Sequence, residues 1–151
     1  MRSEEWGIAG MKAAAGYSGT PLPQKLGIRP GDRVVALGAP WKYGAVVSPL
    51  PDGTTILTRM PARARFVHLF VRNAAELGRR LPALDRGLED DGMIWISWPK
   101  KSSGLATDLT EDGIRRAALP LGLVDVKVCA VDEVWSGLKL VRRVSRRRGT
   151  G

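Results

Sequence analysis

The chain is poor in the residues that build metal centres and disulfides. It has one cysteine, Cys129, and one histidine, His68, in 151 residues. A lone cysteine excludes an internal disulfide and any cysteine zinc cluster, and with His68 it supplies too few soft ligands for a transition-metal site. No metal is therefore expected, and the cysteine usage fits a reducing compartment. Aromatic residues make up only 6 % of the chain. No apolar run approaches the length of a membrane span, so no membrane partner is expected. The opening MRSEEWGIAG has two acids and no apolar core, unlike a secretory signal, and a cytoplasmic location is the plain expectation. Translation from Met11 rather than Met1 is left open.

Acidic residues are missing from one end. Residues 139–151 hold six of the 24 basic residues and none of the 15 acidic ones, which leaves 18 basic against 15 acidic in the rest. The net charge of +9 is thus largely terminal. The run Arg142, Arg143, Arg146, Arg147, Arg148 reads either as a solvated tail or as a contact for nucleic-acid phosphates through Arg146, Arg147 and Arg148, the tail being favoured.

What remains is ordinary globular composition, 44 % apolar and 26 % charged, in a length that suits one core. Residues 1–16 read as a flexible extension, 17–144 as one domain and 145–151 as a basic disordered tail. Thr20-Pro21 opens a short helix closed by Gly27. Arg33–Gly38 is a first buried strand, residues 41–50 hold a short helix, and Thr54–Thr58 is a short strand near an edge. Phe66–Val71 is a third strand. Asn73 and Glu76 have the spacing of a reciprocal cap for a helix carrying Leu77, Leu81, Leu84 and Leu88, which Pro82 should kink or split. Asp91-Gly92 reads as a turn into the uncharged strand Met93–Trp98. Asp108 and Glu111 form a second capping pair, before a helix whose core face is Ile114, Ala117, Ala118 and Leu121. Val124–Val131 and Trp135–Val144 are joined too closely for a crossover helix and must pair antiparallel.

This alternation predicts a single α/β, Rossmann-like, mostly parallel sheet with helices on both faces and a C-terminal antiparallel strand pair. In such sheets ligands lie beyond the carboxyl ends of the strands. One stretch stands out there. The dry strand ending at Trp98 empties through Pro99 into Lys100, Lys101, Ser102, Ser103, Gly104, Thr107 and Asp108. Ammonium groups, hydroxyls and free amides at a helix start suit a phosphate or carboxylate, although a polar surface loop explains the same residues. Walker spacing is absent, and no oxyanion hole or third group turns Lys100 and the serines into a nucleophile pair. Arg72, Asn73 and Trp98 are expected to wall the same crevice, and Tyr17 and Ser18 to face it if their segment folds over the sheet. Trp95 and His68 read as core, His68 hydrogen-bonded, and Cys129 as a small buried hydrophobe. Asp132 and Glu133 read as turn residues.

Two resemblances add to this. The stretches GYSGTPLPQKLGIRPG (16–31), WPKKSSGLATDLTED (98–112) and VDVKVCAVDEVWSGLKLV (124–141) resemble an uncharacterised bacterial family, a domain of unknown function, over nearly all of residues 17–143. That resemblance implies no activity. More loosely, LGIRPGDRVVALGAP and the closing strand pair resemble class I methyltransferases, the Rossmann-like enzymes that use S-adenosylmethionine. This implies their sheet. It does not imply their cofactor: a proline and a tryptophan follow Gly38 where those enzymes have a glycine-rich loop, and Thr58-Arg59-Met60 stands where they place an acid. One strand–helix unit is also missing.

Three functions follow as expectations. The first is a binding or regulatory module holding an anionic small molecule, or a partner's acidic segment, at the carboxyl edge of the sheet, with no cofactor. The second is a divergent methyltransferase-like transferase, and the third a weak nucleic-acid binder through the arginine tail.

Overall fold

A computed structural model describes residues 19–143. Tyr17, Ser18, the 1–16 extension and Arg146, Arg147 and Arg148 lie outside the described residues. The elements run α1 (Leu22–Leu26), β1 (Arg33–Leu37), α2 (Tyr43–Val46), β2 (Thr55–Leu57), β3 (Ala64–Phe70), α3 (Ala74–Arg86), β4 (Leu88–Pro99), α4 (Glu111–Ala118), β5 (Leu123–Ala130) and β6 (Trp135–Arg142). They build one six-stranded sheet of order β2-β1-β3-β4-β6-β5. The pairs β1–β2, β1–β3 and β3–β4 are parallel, whereas β4–β6 and β5–β6 are antiparallel.

Side-chain alternation along the strands sorts two cores. Val35, Leu37, Val67, Leu69, Ile94, Ile96 and Trp98 face the stripes of α3 and α4. Val34, Ala36, Phe66, Phe70, Met93 and Trp95 face the other way, under Leu26 of α1 and Tyr43 of α2. Because β4 contributes to both cores, its run from Gly92 to Pro99 is buried throughout. The sheet is thus covered on both sides, the α1/α2 side by two helices of only five and four residues.

Local readings fare unevenly. Gly27 closes α1 at φ +90, as expected of a left-handed cap. The N-cap of α1 is Pro21 rather than Thr20. α3 is one continuous helix through Pro82, with Asn73 accepting from the Glu76 amide. The Glu76 carboxylate pairs with Arg80. Asp91-Gly92 is no turn but part of an irregularity in β4: between the pairs Ala64–Leu88 and Phe66–Met93, β3 advances two residues and β4 five. Thr110, not Asp108, caps α4 by accepting from the Gly113 amide.

Two ion pairs fix the ends of the sheet. Arg142, 6 % exposed, donates to Asp85 Oδ1 at 2.9 Å and to the carbonyls of Asp85 and Leu88 at 2.7 Å each, tying β6 to the end of α3. Arg143 donates to the Leu119 carbonyl. These two arginines, counted with the basic tail from sequence, serve the fold. On the other core, Arg65 holds Asp32 through Nε and NH2, and Asp32 also accepts the Arg29 amide. Burial alone would raise the Asp32 carboxyl, but these donors hold it below its usual range.

Candidate functional site

The chain leaves β1 for the edge strand β2 and returns on the other side of β1 as β3. The strand order therefore reverses at β1, the place where open α/β sheets leave a crevice at the carboxyl ends. Gly38 is the first residue past β1. Its φ is +74, and a β-carbon there would lie 2.8 Å from the Phe70 carbonyl oxygen. A glycine is thus required twice, by the left-handed backbone and by the close approach to the last residue of β3.

That turn delivers Trp41 onto the ends of the strands. The Trp41 ring meets Phe70 edge-on with centroids 5.3 Å apart, Phe70 meets Trp135 edge-on at 5.4 Å, and the Arg72 guanidinium lies 5.9 Å from the Trp135 ring centre. One aromatic row therefore crosses the carboxyl edge from β1 to β6.

At the β1 end of this row is a cavity of about 620 Å³. Ile56 and Thr58 line it from β2 and the residue after it, Trp41 and Lys42 from the loop, and Tyr43 from the first turn of α2, with small residues of the same segments completing the wall. The size is that of a small-molecule site. Lys42 is the one charged residue in the described lining, which contains no carboxylate.

Behind the wall runs a buried polar chain. Tyr43 Oη lies 2.7 Å from His68 Nδ1, and His68 Nε2 lies 2.7 Å from Ser97 Oγ. His68 and Ser97 are fully buried, and the imidazole stacks on Phe70 with centroids 4.4 Å apart. Burial pushes the His68 pKa down to about 3, so the ring is neutral near pH 7. The Tyr43 phenol is pushed up, first by burial and then by the neighbouring Cys129. His68 is thus the hydrogen-bonded core histidine read from the sequence. Trp95 is likewise fully buried, donating to the Leu26 carbonyl at 2.8 Å. Cys129 is half-buried against the α1/α2 core, and its thiol is raised by burial against the opposing pull of Lys25 and Lys127.

The polar stretch after Trp98 lies at the opposite end of the aromatic row, and none of its residues lines the cavity. Trp98 itself is 8 % exposed and packs in the α3/α4 core. The Lys100 amide donates to the Val134 carbonyl, which joins the loop to the β5–β6 turn. Ser103 donates its hydroxyl to the Lys100 carbonyl and accepts the Leu105 amide. Thr107 accepts the Leu109 amide. Asp108 Oδ1 accepts the Ala74 amide at 2.8 Å, so Asp108 and Asn73 together cap α3. Lys101, Ser102 and Arg72 are exposed, and Lys100 is half-buried. Asp132 accepts the amides of Val134 and Trp135, the turn role read for it, and Glu133 is exposed. The structure gathers Arg72, Asn73 and Asp108 at the start of α3, but the Asn73 side-chain amide oxygen and the Asp108 carboxylate there already hold backbone amides. The sequence reading singled out none of Trp41, Lys42 and Tyr43 as a site. The available signal was a glycine directly after the first buried strand of an α/β order.

Among the described residues no group of three or more His, Cys, Asp or Glu is placed to hold a metal, and no helix is long and apolar enough to cross a membrane.

No protein-family model and no curated protein matches this chain, so the resemblance to the uncharacterised family rests on the quoted motifs alone. Solved structures do match. Magnesium protoporphyrin IX methyltransferase from Synechocystis PCC 6803, with bound SAH, is 15 % identical, with a TM-score of 0.53 over 81 % of this chain and 78 % of that one. The ribosomal protein L11 methylase from Lactobacillus delbrueckii subsp. bulgaricus is 14 % identical, with a TM-score of 0.50 over 80 % of this chain and 74 % of that one. A single-residue variant of LepI, in complex with SAH and a substrate analogue, is 15 % identical, with a TM-score of 0.50 over 81 % of this chain but 39 % of its own length. The fold is therefore methyltransferase-like. At these identities the likeness establishes the fold alone. The strand–helix unit found missing from the sequence is also missing among the described residues, where β2 is the edge of the sheet.

The described residues fit S-adenosylmethionine only in part. That molecule brings an adenine ring, a carboxylate, an ammonium, a sulfonium and a ribose diol to its site. The described lining has aromatic side chains and the Lys42 cation for the first two, and no carboxylate for the other three. The one glycine of the loop gives its open side to the Phe70 carbonyl rather than to the cavity.

Proposed function

We propose that this chain is a binding domain on a methyltransferase-like fold, holding an anionic small molecule with a flat ring in the cavity between β1, β2 and α2. The observation behind this is the cavity's place and lining together. It lies at the carboxyl edge where the strand order reverses, aromatic on one wall, with a cation as its one charged residue among those described. Trp41 and Tyr43 would face the ring and Lys42 the anionic group. Arg72, Lys100 and Lys101 continue the positive charge beyond the far end of the aromatic row, and they are proposed as secondary contacts for a longer ligand or an acidic segment.

Thermal-shift measurements with phenyl phosphate and adenosine monophosphate test the reading. Both should stabilise the wild type. Lys42→Ala should remove most of the shift, while Lys100→Ala/Lys101→Ala should trim it only for the larger ligand. Equal stabilisation of wild type and Lys42→Ala would place the site elsewhere. The transferase reading, which has the fold in its favour, makes a different prediction: stabilisation by S-adenosylmethionine that does not depend on Lys42.

A further inference from the structure

At the side of the sheet away from the cavity, β5 is an edge strand with β6 as its one neighbour. Among the described residues, no backbone group of residues 123–130 bonds to anything but β6. Such an edge offers its outward amides and carbonyls to another chain. A bulge interrupts it. Between the pairs Asp125–Leu140 and Lys127–Lys139, β5 advances two residues and β6 one, so Val126 is the extra residue. Past the bulge, Lys127, Val128, Cys129 and Ala130 pair in regular register with Lys139, Leu138, Gly137 and Ser136.

The two faces of this free edge differ. Val128 is 49 % exposed and stands across from Leu138, on the α3/α4 side. Lys127 is exposed and stands directly across from Lys139, whose other register partner, Trp95, faces the α1/α2 side. Like charges opposed on neighbouring strands repel. Lys127 Nζ donates to the Lys25 carbonyl at 2.9 Å, which keeps its ammonium over that face. Lys139 is half-buried, and its pKa is lowered first by burial and then by Lys127 and Arg65. Among the described residues no carboxylate pairs with either lysine. Asp125, the one acid of β5, is turned to Arg115 of α4. An exposed apolar side chain thus marks one face of the edge, and unneutralised positive charge the other.

The geometry points to a docking strand: the edge from Lys127 to Ala130 takes an extended segment of a partner protein, in which acidic residues alternate with apolar ones, as a seventh strand of the sheet. Its backbone would bond to β5, its acids would lie on the side of Lys127 and Lys139, and its apolar residues would lie beside Val128. Charge selects the occupant. Two copies of this chain paired antiparallel through β5 would bring both lysines of each onto one face with no acid between them, which disfavours self-association. A segment with acids on that face relieves the repulsion instead. This surface is separate from the cavity, and the inference does not depend on what the cavity holds.

A short peptide with blocked ends, alternating valine and aspartate, is the probe. Its control carries lysine in place of aspartate. Titrated into nitrogen-15-labelled wild type, the aspartate peptide should shift the amides of residues 126–130 and bind about tenfold more tightly than the control. Lys127→Glu should reverse that preference. Equal binding of the two peptides to wild type, shifts concentrated away from β5, or no saturable shift would each overturn the inference. So would a single-stranded oligothymidylate that moves the same amides at lower concentration than the peptide, since the partner would then be a nucleic acid. Sedimentation of the protein alone as a dimer, with residues 126–130 shifting as it is concentrated, would overturn it in favour of a second copy.

Discussion

Gly38 and Phe70 meet backbone to backbone: a β-carbon on Gly38 would lie 2.8 Å from the Phe70 carbonyl oxygen. This contact sets where the loop after β1 can go, and hence where Trp41 and Lys42 sit. Gly38→Ala should therefore destabilise for two reasons, the strained positive φ and the clash, by about 2–3 kcal/mol together. Urea unfolding of the two proteins measures this. A loss below about 0.5 kcal/mol, within the range of an ordinary surface change, would mean the loop is not held as described.

Arg142 reaches Asp85 and the carbonyls that end α3 and begin β4 from a nearly fully buried position. Arg142→Met keeps the apolar stem and removes three donors from a low-dielectric site. The expected cost is about 3–5 kcal/mol by denaturant unfolding. Arg143→Met, at an exposed position, should cost well under about 1 kcal/mol.

Asn73 and Asp108 take the amides of Glu76 and Ala74 at the start of α3. Asn73→Ala and Asp108→Ala should each lower stability by about 0.5–2 kcal/mol, the usual worth of a helix cap. Asp108→Asn, which keeps an acceptor oxygen, should cost less than Asp108→Ala. If all three variants melt like the wild type, the bonds contribute nothing and these residues are free for a ligand.

Stability should follow pH through His68. Its folded pKa, about 3, lies below the ordinary value of 6.5, so between these values the unfolded chain binds more protons than the folded one. Stability from this group is complete above about pH 6.5 and is lost as pH falls, with a slope approaching about 1.4 kcal/mol per pH unit. The Asp32 carboxyl, depressed from 3.8, contributes only at the acid end of this window. His68→Gln should flatten the dependence between about pH 4 and 6.5. An unchanged slope in that variant would mean that the imidazole titrates freely.

Much of the fold was legible because its signals are local and repeated. The stripe Leu77, Leu81, Leu84 fixed α3, and the brief link between Ala130 and Trp135 left only an antiparallel pair. The failures are non-local. Asp108 stands three residues before Glu111, and spacing alone makes that a cap. In the structure its carboxylate is taken by Ala74, 34 residues away. Asp91-Gly92 has turn composition, but β3 pairs on both sides of it and draws it into the strand. Arg142 looked like the start of a basic tail because nothing in sequence links it to Asp85. Beyond the glycine signal, the walls of the cavity were hidden for the same reason: Ile56 and Thr58 join Lys42 and Tyr43 only after β2 lies beside β1.

The most direct test of the account is where an anionic aromatic probe perturbs the backbone. Phenyl phosphate is small enough that binding on the order of millimolar, about 4 kcal/mol, is all it can be expected to show, within reach of amide chemical-shift mapping. With the probe in the cavity, the largest shifts should fall at Gly38, Ala39, Lys42, Gly44 and Thr58, with the loop from Lys101 to Gly104 moving little. Shifts concentrated in that loop, or none that saturate near Gly38, would contradict it.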